Sequence, residues 1–314
     1  MINFRFHIVS LIAVFLALGL GILVGSSVVD RVIVNRLDQE IKSVRHDSSQ
    51  ANSDNAKLRD QLAQTNDFLK NSAAFAVDQR LADVPVAIVA DKGVDASSVK
   101  SVFTMMRAAG ASVPGVLWLQ DRWLLNTTKD VTALSKAARV NGDAAAVRRA
   151  ALGKLAGRLA EPPVTGRRAP RDVIPSLRSA GFLDLSDGTK QALADFPASA
   201  ARVVVVTGTD SHLAATDTLV QLVQALLDAK VPTVVAEVYD GGHGSDPPPA
   251  DRGAAVAPVR GDPVLSKQVS TVDDAELPQG DVAAVIALEQ IADGTVGQYG
   301  YGHGASSPLP KLPS

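Results

Sequence analysis

The chain of 314 residues contains no cysteine. This absence excludes disulfide bonds, thiolate zinc sites, iron–sulfur clusters and a cysteine nucleophile. The formal net charge is only −2, which gives no electrostatic indication of a nucleic-acid partner. Long apolar runs are also scarce, because only one stretch is long and apolar enough to span a membrane. The chain alone is therefore not a multi-helix channel or transporter.

That one stretch, residues 8–29, reads IVSLIAVFLALGLGILVGSSVV and contains no charged residue. A helix of this length reaches roughly 33 Å, and a bilayer's hydrocarbon core is about 30 Å thick. A cleaved signal peptide is the alternative, since Gly25, Ser26 and Ser27 supply small residues near the end of the stretch. The run is longer than the apolar core of roughly 7–15 residues that a signal peptide has, and this favours an anchor over residues 1–29.

The flanking charges leave the orientation of the anchor open. Arg5 precedes the span, whereas Arg31, Arg36, Lys42 and Arg45 follow it. Taken alone, this excess of positive charge places the amino terminus outside, but a long domain is translocated largely regardless of charge. We predict a single-pass protein of the cell membrane whose remaining domain is extracytoplasmic.

A heptad pattern follows the span. Residues 34–76 contain neither proline nor glycine, and their apolar residues keep one register of positions a and d. This pattern predicts a coiled-coil stalk over residues 30–80 and a parallel homodimer, with a single helix packed on its own domain as the alternative. Asn55 is an a-position residue of the kind that fixes register and oligomer size. Small residues on one face of the span also favour a dimer, because they let two helices approach closely. The predicted dimerisation residues are Gly21, Gly25, Leu37, Ile41, Val44, Asn55, Leu58, Leu62 and Leu69.

Residues 81–293 alternate short apolar runs with segments of helical pattern. The runs are 84–90, 113–119, 202–208, 231–238 and 269–272, and 202–208 contains four consecutive valines. One helix is predicted with Asp95 or Ser97 as its cap and with Val99, Val102, Phe103 and Met106 as its buried stripe. Further helices are predicted over 129–140, 143–159, 211–229 and 281–292. Strands that are apolar throughout and alternate with helices predict a Rossmann-like parallel α/β domain. Residues 161–175 are proline-rich and indicate a linker or loop, and residues 294–314 indicate a flexible tail.

The predicted strand ends carry polar residues but no recognisable catalytic motif. There is no glycine-rich dinucleotide fingerprint, phosphate-binding loop or nucleophile elbow. Asp210, Ser211 and His212 have the composition of a catalytic triad, but adjacent residues cannot adopt its geometry. The pattern favours a helix cap at Asp210 or Ser211, and it predicts a protein that is not an enzyme and has no cofactor-binding residues.

Histidines are the remaining candidates for metal binding. His212, His243 and His303 are predicted to lie in loops and could bind metal weakly. No two of them have a ligand spacing such as i, i+4, so solvated side chains without a ligand role are the alternative. Copper would then be a transported ion rather than a resident cofactor.

The opening MINFRFHIVSL, the passage from span to stalk and the closing GQYG at residues 297–300 resemble the copper transporter family of mycolic-acid-bearing bacteria. The resemblance implies a pore-forming outer-membrane protein of copper efflux and copper homeostasis. It also implies, for a SteB-like branch of the family, pairing with a SteA-like membrane protein that regulates cell-wall hydrolysis at division. Copper homeostasis is the first functional prediction, and a non-catalytic dimeric scaffold that controls cell separation is the alternative.

Overall fold

The computed structural model describes residues 4–161, 172–188, 191–193, 196, 200–209, 211–213, 218–239 and 251–311, with the backbone only for 26–35. The helices are α1 Phe4–Val77, α2 Ala96–Ala108, α3 Thr128–Ala138, α4 Ala144–Ala160, α5 Val173–Ser179, α6 Thr218–Asp228, α7 Ala257–Gly261 and α8 Pro278–Gln290. The strands are β1 Val86–Asp91, β2 Val116–Leu119, β3 Leu183–Ser186, β4 Arg202–Gly208, β5 Thr233–Val238, β6 Ser270–Val272 and β7 Gln298–Tyr299.

The first helix, α1, is 74 residues long and begins with the predicted span. Residues Phe4–Gly25 form a stretch of 22 residues that is long and apolar enough to cross a membrane. Because no proline or glycine interrupts residues 34–76, the helix continues without a break to Val77. The chain divides into two compact units, Met1–Thr65 and Asn66–Ser314, with the boundary inside α1.

The second unit is built on a sheet of seven strands in the order β3-β2-β1-β4-β5-β6-β7. Every strand pair is parallel except β2 with β3. This confirms the prediction of a mixed α/β fold whose sheet is mainly parallel.

The four valines of β4 show how the sheet is covered. Val203 and Val205 pack into one hydrophobic core with α3, α4, α5 and α6, whereas Val204 and Val206 pack into a second core with α2 and α8. All four are fully buried, as the continuous valine run predicts for a strand covered on both faces.

The start of α2 agrees with Asp95, one of the two predicted caps. The carboxylate of Asp95 accepts a hydrogen bond from the backbone N–H of Ser98 and caps the helix. The predicted buried stripe of Val99, Val102, Phe103 and Met106 is confirmed.

Three local predictions need correction. The helix expected from residue 211 is described only from Thr218, and Ser211–Leu213 form a turn. The prediction missed α5 and β3, since β3 is a four-residue antiparallel edge strand with one exposed residue. The flexible tail expected from residue 294 instead carries β7, which pairs with β6. Its glycines permit close backbone approach: a Cβ at Gly302 would lie 2.4 Å from the carbonyl oxygen of Arg252.

Gly280, at the start of α8, is the tightest of these glycine contacts. A Cβ there would lie 1.9 Å from the backbone oxygen of Asp274, whereas a Cβ at Gly261 meets nothing within 4 Å. We therefore expect Gly280→Ala to lower the free energy of unfolding by about 1–3 kcal/mol, as overpacking does. Gly261→Ala is the matched control and should unfold at nearly the wild-type temperature. Equal melting temperatures for both variants would contradict the packing of α8 against the loop after β6.

Candidate functional site at the carboxyl edge of the sheet

The carboxyl end of β1 holds a buried acidic residue, Asp91. Its carboxylate accepts hydrogen bonds from the hydroxyls of Thr207, on β4, and of Ser211, in the turn after β4, each at 2.9 Å. Burial raises the pKa of Asp91 to about 6, although the two hydroxyls partly offset it. The arrangement links the ends of two neighbouring strands and orders the turn, because the Ser211 oxygen also accepts the N–H of Leu213 at 3.2 Å.

Ser211 and His212, two of the three residues with the composition of a triad, contact different carboxylates. His212 lies 3.1 Å from Asp121, with its Nδ1 toward the carboxylate, whereas the Ser211 hydroxyl donates to Asp91. The helix-cap interpretation also changes, since Ser211 orders the turn before α6 and Asp210 lies outside the described residues. Both partners of the His212–Asp121 pair are exposed, and exposed ion pairs contribute little to the free energy of unfolding.

The structure describes two of the three candidate metal-binding histidines, and they follow different strands of the sheet. His212 follows β4, and His303 lies in the loop after β7, where its N–H donates to the carbonyl oxygen of Arg252. His243 lies outside the described residues. Across the part of the chain that the structure describes, no group of three histidine or acidic residues is arranged to hold a metal ion.

At the end of β5, Glu237 organises the segment that precedes α7. Its two carboxylate oxygens accept the backbone N–H groups of Gly253 at 2.8 Å and Val256 at 3.0 Å. Burial raises the pKa of Glu237 to about 7, the backbone hydrogen bonds lower it, and the neighbouring Asp273 raises it again.

Asp273, after β6, ties the carboxy-terminal loop to the sheet. It forms a buried ion pair with Arg260 at 2.8 Å, in which the two side chains are 0% and 5% exposed. The same carboxylate accepts the N–H groups of Tyr301 at 2.8 Å and Gly302 at 3.0 Å. Arg260 also donates to the backbone oxygens of Tyr299 and His303, each at 2.8 Å, so this pair is fully supported by hydrogen bonds.

The next residue, Asp274, is also fully buried, but its hydrogen-bonding surroundings differ from those of Asp273. Among the described residues, neither of the carboxylate oxygens of Asp274 has a hydrogen-bond partner, and the same holds for one oxygen of the buried Asp281, on α8. Burial raises the pKa of both groups to about 7, and the charges of Asp273 and Glu276 add to this for Asp274. The hydroxyl of Ser101, on α2, donates to the other oxygen of Asp281.

Sequence reasoning predicted polar residues at strand ends but missed this group of buried carboxylates. The available signal was an acidic residue at or just after an apolar run, as in Glu237 within VPTVVAEV and Asp273 after STV. Nothing local indicated which of them would be paired, because their partners lie 13 to 29 residues away.

The predicted dimerisation face of α1 is solvent-exposed in the single chain. Leu37, Ile41, Val44, Leu58 and Leu62 are each at least 44% exposed. Asn55 is exposed too, and Leu69 is half-buried. A Cβ built at Gly21 or Gly25 meets no atom within 4 Å, so that face of the span is open as well.

The similarity to known proteins extends over nearly the whole chain. The family model described as "Copper transport outer membrane protein, MctB" matches residues 1–310. Copper transporter MctB of Mycobacterium tuberculosis strain H37Rv and that of Mycobacterium bovis are each 28% identical to this chain. The Mycobacterium leprae protein of the same name is 26% identical. Each alignment covers 98% of this chain and 98% of the relative. The match therefore includes the apolar helix, the rest of α1 and the α/β domain, and the chain belongs to the MctB family.

Proposed function

We propose that the protein acts in copper homeostasis at the cell envelope as a membrane-anchored copper efflux component. The observation that supports this most is the family match over residues 1–310, together with relatives that are named copper transporters along their full length. A match confined to the α/β domain would support only a shared fold. Here the anchor and stalk are matched as well.

The anchor in this proposal is the first helix, retained in the mature protein. Its apolar residues from Phe4 to Gly25 are exposed along the whole stretch, with none of the window buried in protein. Such a surface is stable in lipid and costly in water. We place the α/β domain outside the cytoplasm, with α1 as the connection between the membrane and the sheet.

We further infer that the domain is Rossmann-like and that α1 forms a parallel coiled-coil homodimer. The strand order β3-β2-β1-β4-β5-β6 is that of the doubly wound fold, with β3 reversed and β7 added. The exposed seam of Leu37, Ile41, Val44, Leu58 and Leu62 supports a second copy as the partner of α1.

Pore formation in this proposal requires several copies, because the one candidate span found in the described residues encloses no lumen by itself. Full-length protein in planar bilayers should then conduct Cu²⁺. Gly21→Leu with Gly25→Leu should abolish conductance by keeping the helices apart, and Gly19→Leu, off that face, serves as the control. Absence of conductance from wild-type protein would rule out a pore and leave copper homeostasis to be tested in cells.

A second function, a scaffold for cell separation, is favoured by the same exposed seam and by the absence of a metal-ligand group in the described residues. In this case a SteA-like membrane protein binds the stalk or the α/β domain, and deletion of the gene produces chains of unseparated cells. Cross-linking in cells distinguishes the two functions. Recovery of copper-handling proteins alone, with normal cell separation in the deletion strain, would rule out the scaffold.

A further inference from the structure

A cavity of about 530 Å³ lies at the carboxyl ends of β1 and β2, and the proposed function does not use it. This volume is within the range of roughly 300–1,000 Å³ that small-molecule sites occupy. The position is the edge of a parallel sheet at which ligands bind in open α/β folds. The residues that give the cavity its chemical character are Lys92, Lys100, Trp118, Arg178, Asp184 and Ser186.

The fold brings these residues together from five elements. Lys92 follows the last residue of β1, and Lys100 lies one turn into α2. Trp118 and Asp184 are direct partners in the antiparallel pairing of β2 with β3. Arg178 comes from α5. The antiparallel strand β3, which closes this side of the sheet, therefore supplies part of the wall.

The wall of the cavity is predominantly positive. Three cationic side chains face one carboxylate, and neither Lys92 nor Lys100 forms an ion pair with any residue in the described ranges. The amino-terminal end of α2 also reaches the cavity at Ala96, but the carboxylate of Asp95 already caps it. The lysines, rather than the helix end, would therefore carry the interaction with an anion.

Trp118 supplies a planar apolar surface. Its Nε1–H donates to the hydroxyl of Ser186 at 2.9 Å, which fixes the ring and satisfies its only donor. The ring is half-buried, so part of it remains accessible from the cavity. A fixed indole beside cations is suited to a ligand that has both a flat ring and an acid group.

We propose that this cavity binds a small organic anion with a planar ring. Lys92 and Lys100 contact its phosphate or carboxylate group, and the ring stacks on Trp118. Asp184 accepts a hydrogen bond from a hydroxyl or amino group of the ligand. This is a binding site for a regulatory or transported small molecule, and it does not depend on a role in copper homeostasis.

The test uses full-length protein in lipid nanodiscs and calorimetric titration. Adenosine 5′-monophosphate probes a phosphate on a ring, 2-naphthoate a carboxylate on a ring, and adenosine a ring without an acid group. At least one of the two anionic probes should bind saturably, and adenosine should bind much more weakly than its monophosphate. Lys92→Gln with Lys100→Gln should weaken anion binding at least about tenfold, since hydrogen bonds to charged groups contribute that much.

Arg149→Gln is the matched control, because Arg149 is a cation that lines a different cavity, between α4 and α6. Trp118→Phe keeps a ring and should reduce affinity less than Trp118→Leu. Circular dichroism confirms that each variant is folded. The proposal is overturned if neither anionic probe binds. It is equally overturned if binding survives the double lysine substitution, or if Arg149→Gln weakens it as much.

Discussion

Asp274→Asn should make the protein more stable above about pH 7, whereas Asp273→Asn, one residue earlier, should make it less stable. The two carboxylates are both fully buried but have opposite surroundings. Asp273 is paired with Arg260 and accepts two backbone N–H groups. Asp274 has no hydrogen-bond partner for either oxygen among the described residues, and the charge of Arg252 only partly offsets its burial. Loss of one member of a buried ion pair costs about 3–5 kcal/mol.

The sign of the stability change expected for Asp274→Asn follows from the pKa of Asp274, which burial raises from 3.8 to about 7. Between these values the folded chain holds a proton that the unfolded chain has released. The free energy of unfolding therefore falls as pH rises through this window, and the loss is complete above about pH 7. Each unit of pKa corresponds to about 1.4 kcal/mol, so the penalty that Asn removes is on the order of 2–4 kcal/mol.

Urea unfolding measured by circular dichroism from about pH 4 to pH 8 provides the comparison. The Asp274→Asn chain should show a shallower decline of stability with pH than wild type. Asp91, Glu237 and Asp281, whose pKa values burial also raises, should preserve part of the decline. An unchanged pH slope in Asp274→Asn, or a stability gain in Asp273→Asn, would contradict the described hydrogen bonds of this loop.

Leu58→Asp combined with Leu62→Asp should convert the proposed dimer of the stalk to a monomer. Both leucines lie on the predicted seam, and they are 55% and 62% exposed in the single chain. Burying one leucine at a helix–helix seam contributes about 1.5–3 kcal/mol per chain, and an aspartate there would place like charges opposite each other. The α/β domain has its own two hydrophobic cores, so it should remain folded in the variant.

Sedimentation equilibrium on a soluble form that begins at residue 32 measures this directly. Ala56→Asp with Ala63→Asp adds the same charge to the same helix away from the seam and should remain dimeric. Circular dichroism follows the fold of the α/β domain in each case. A wild-type chain that sediments as a monomer at high micromolar concentration would eliminate the coiled-coil dimer and leave α1 as a single helix.

Much of the fold was predictable because its signals are local. The valine run of β4, the Asp95 cap and the apolar stripe of α2 each depend on residues within one or two turns of chain, and each is confirmed. The parallel sheet follows from the alternation of such segments. These features would persist in almost any tertiary context.

The missed features depend on contacts between distant residues. β3 and β7 are strands of four and two residues whose pairing is settled by β2 and β6, not by their own composition. The difference between Asp273 and Asp274 is likewise invisible in sequence, since it depends on the loop that contains Gly302. The candidate histidines illustrate the same limit, because loop position alone did not reveal that His212 lies beside Asp121.

The most direct test of a membrane-anchored role in copper homeostasis is the copper content of cells that lack the gene, measured by mass spectrometry after growth in copper. The deletion strain should accumulate more cell-associated copper than wild type, and the full-length chain should restore the wild-type content. A version in which a cleavable signal peptide replaces residues 1–25 should fail to restore it, although the α/β domain is exported and folded. Unchanged copper in the deletion strain, or full restoration by the version without the anchor, would contradict the proposed role.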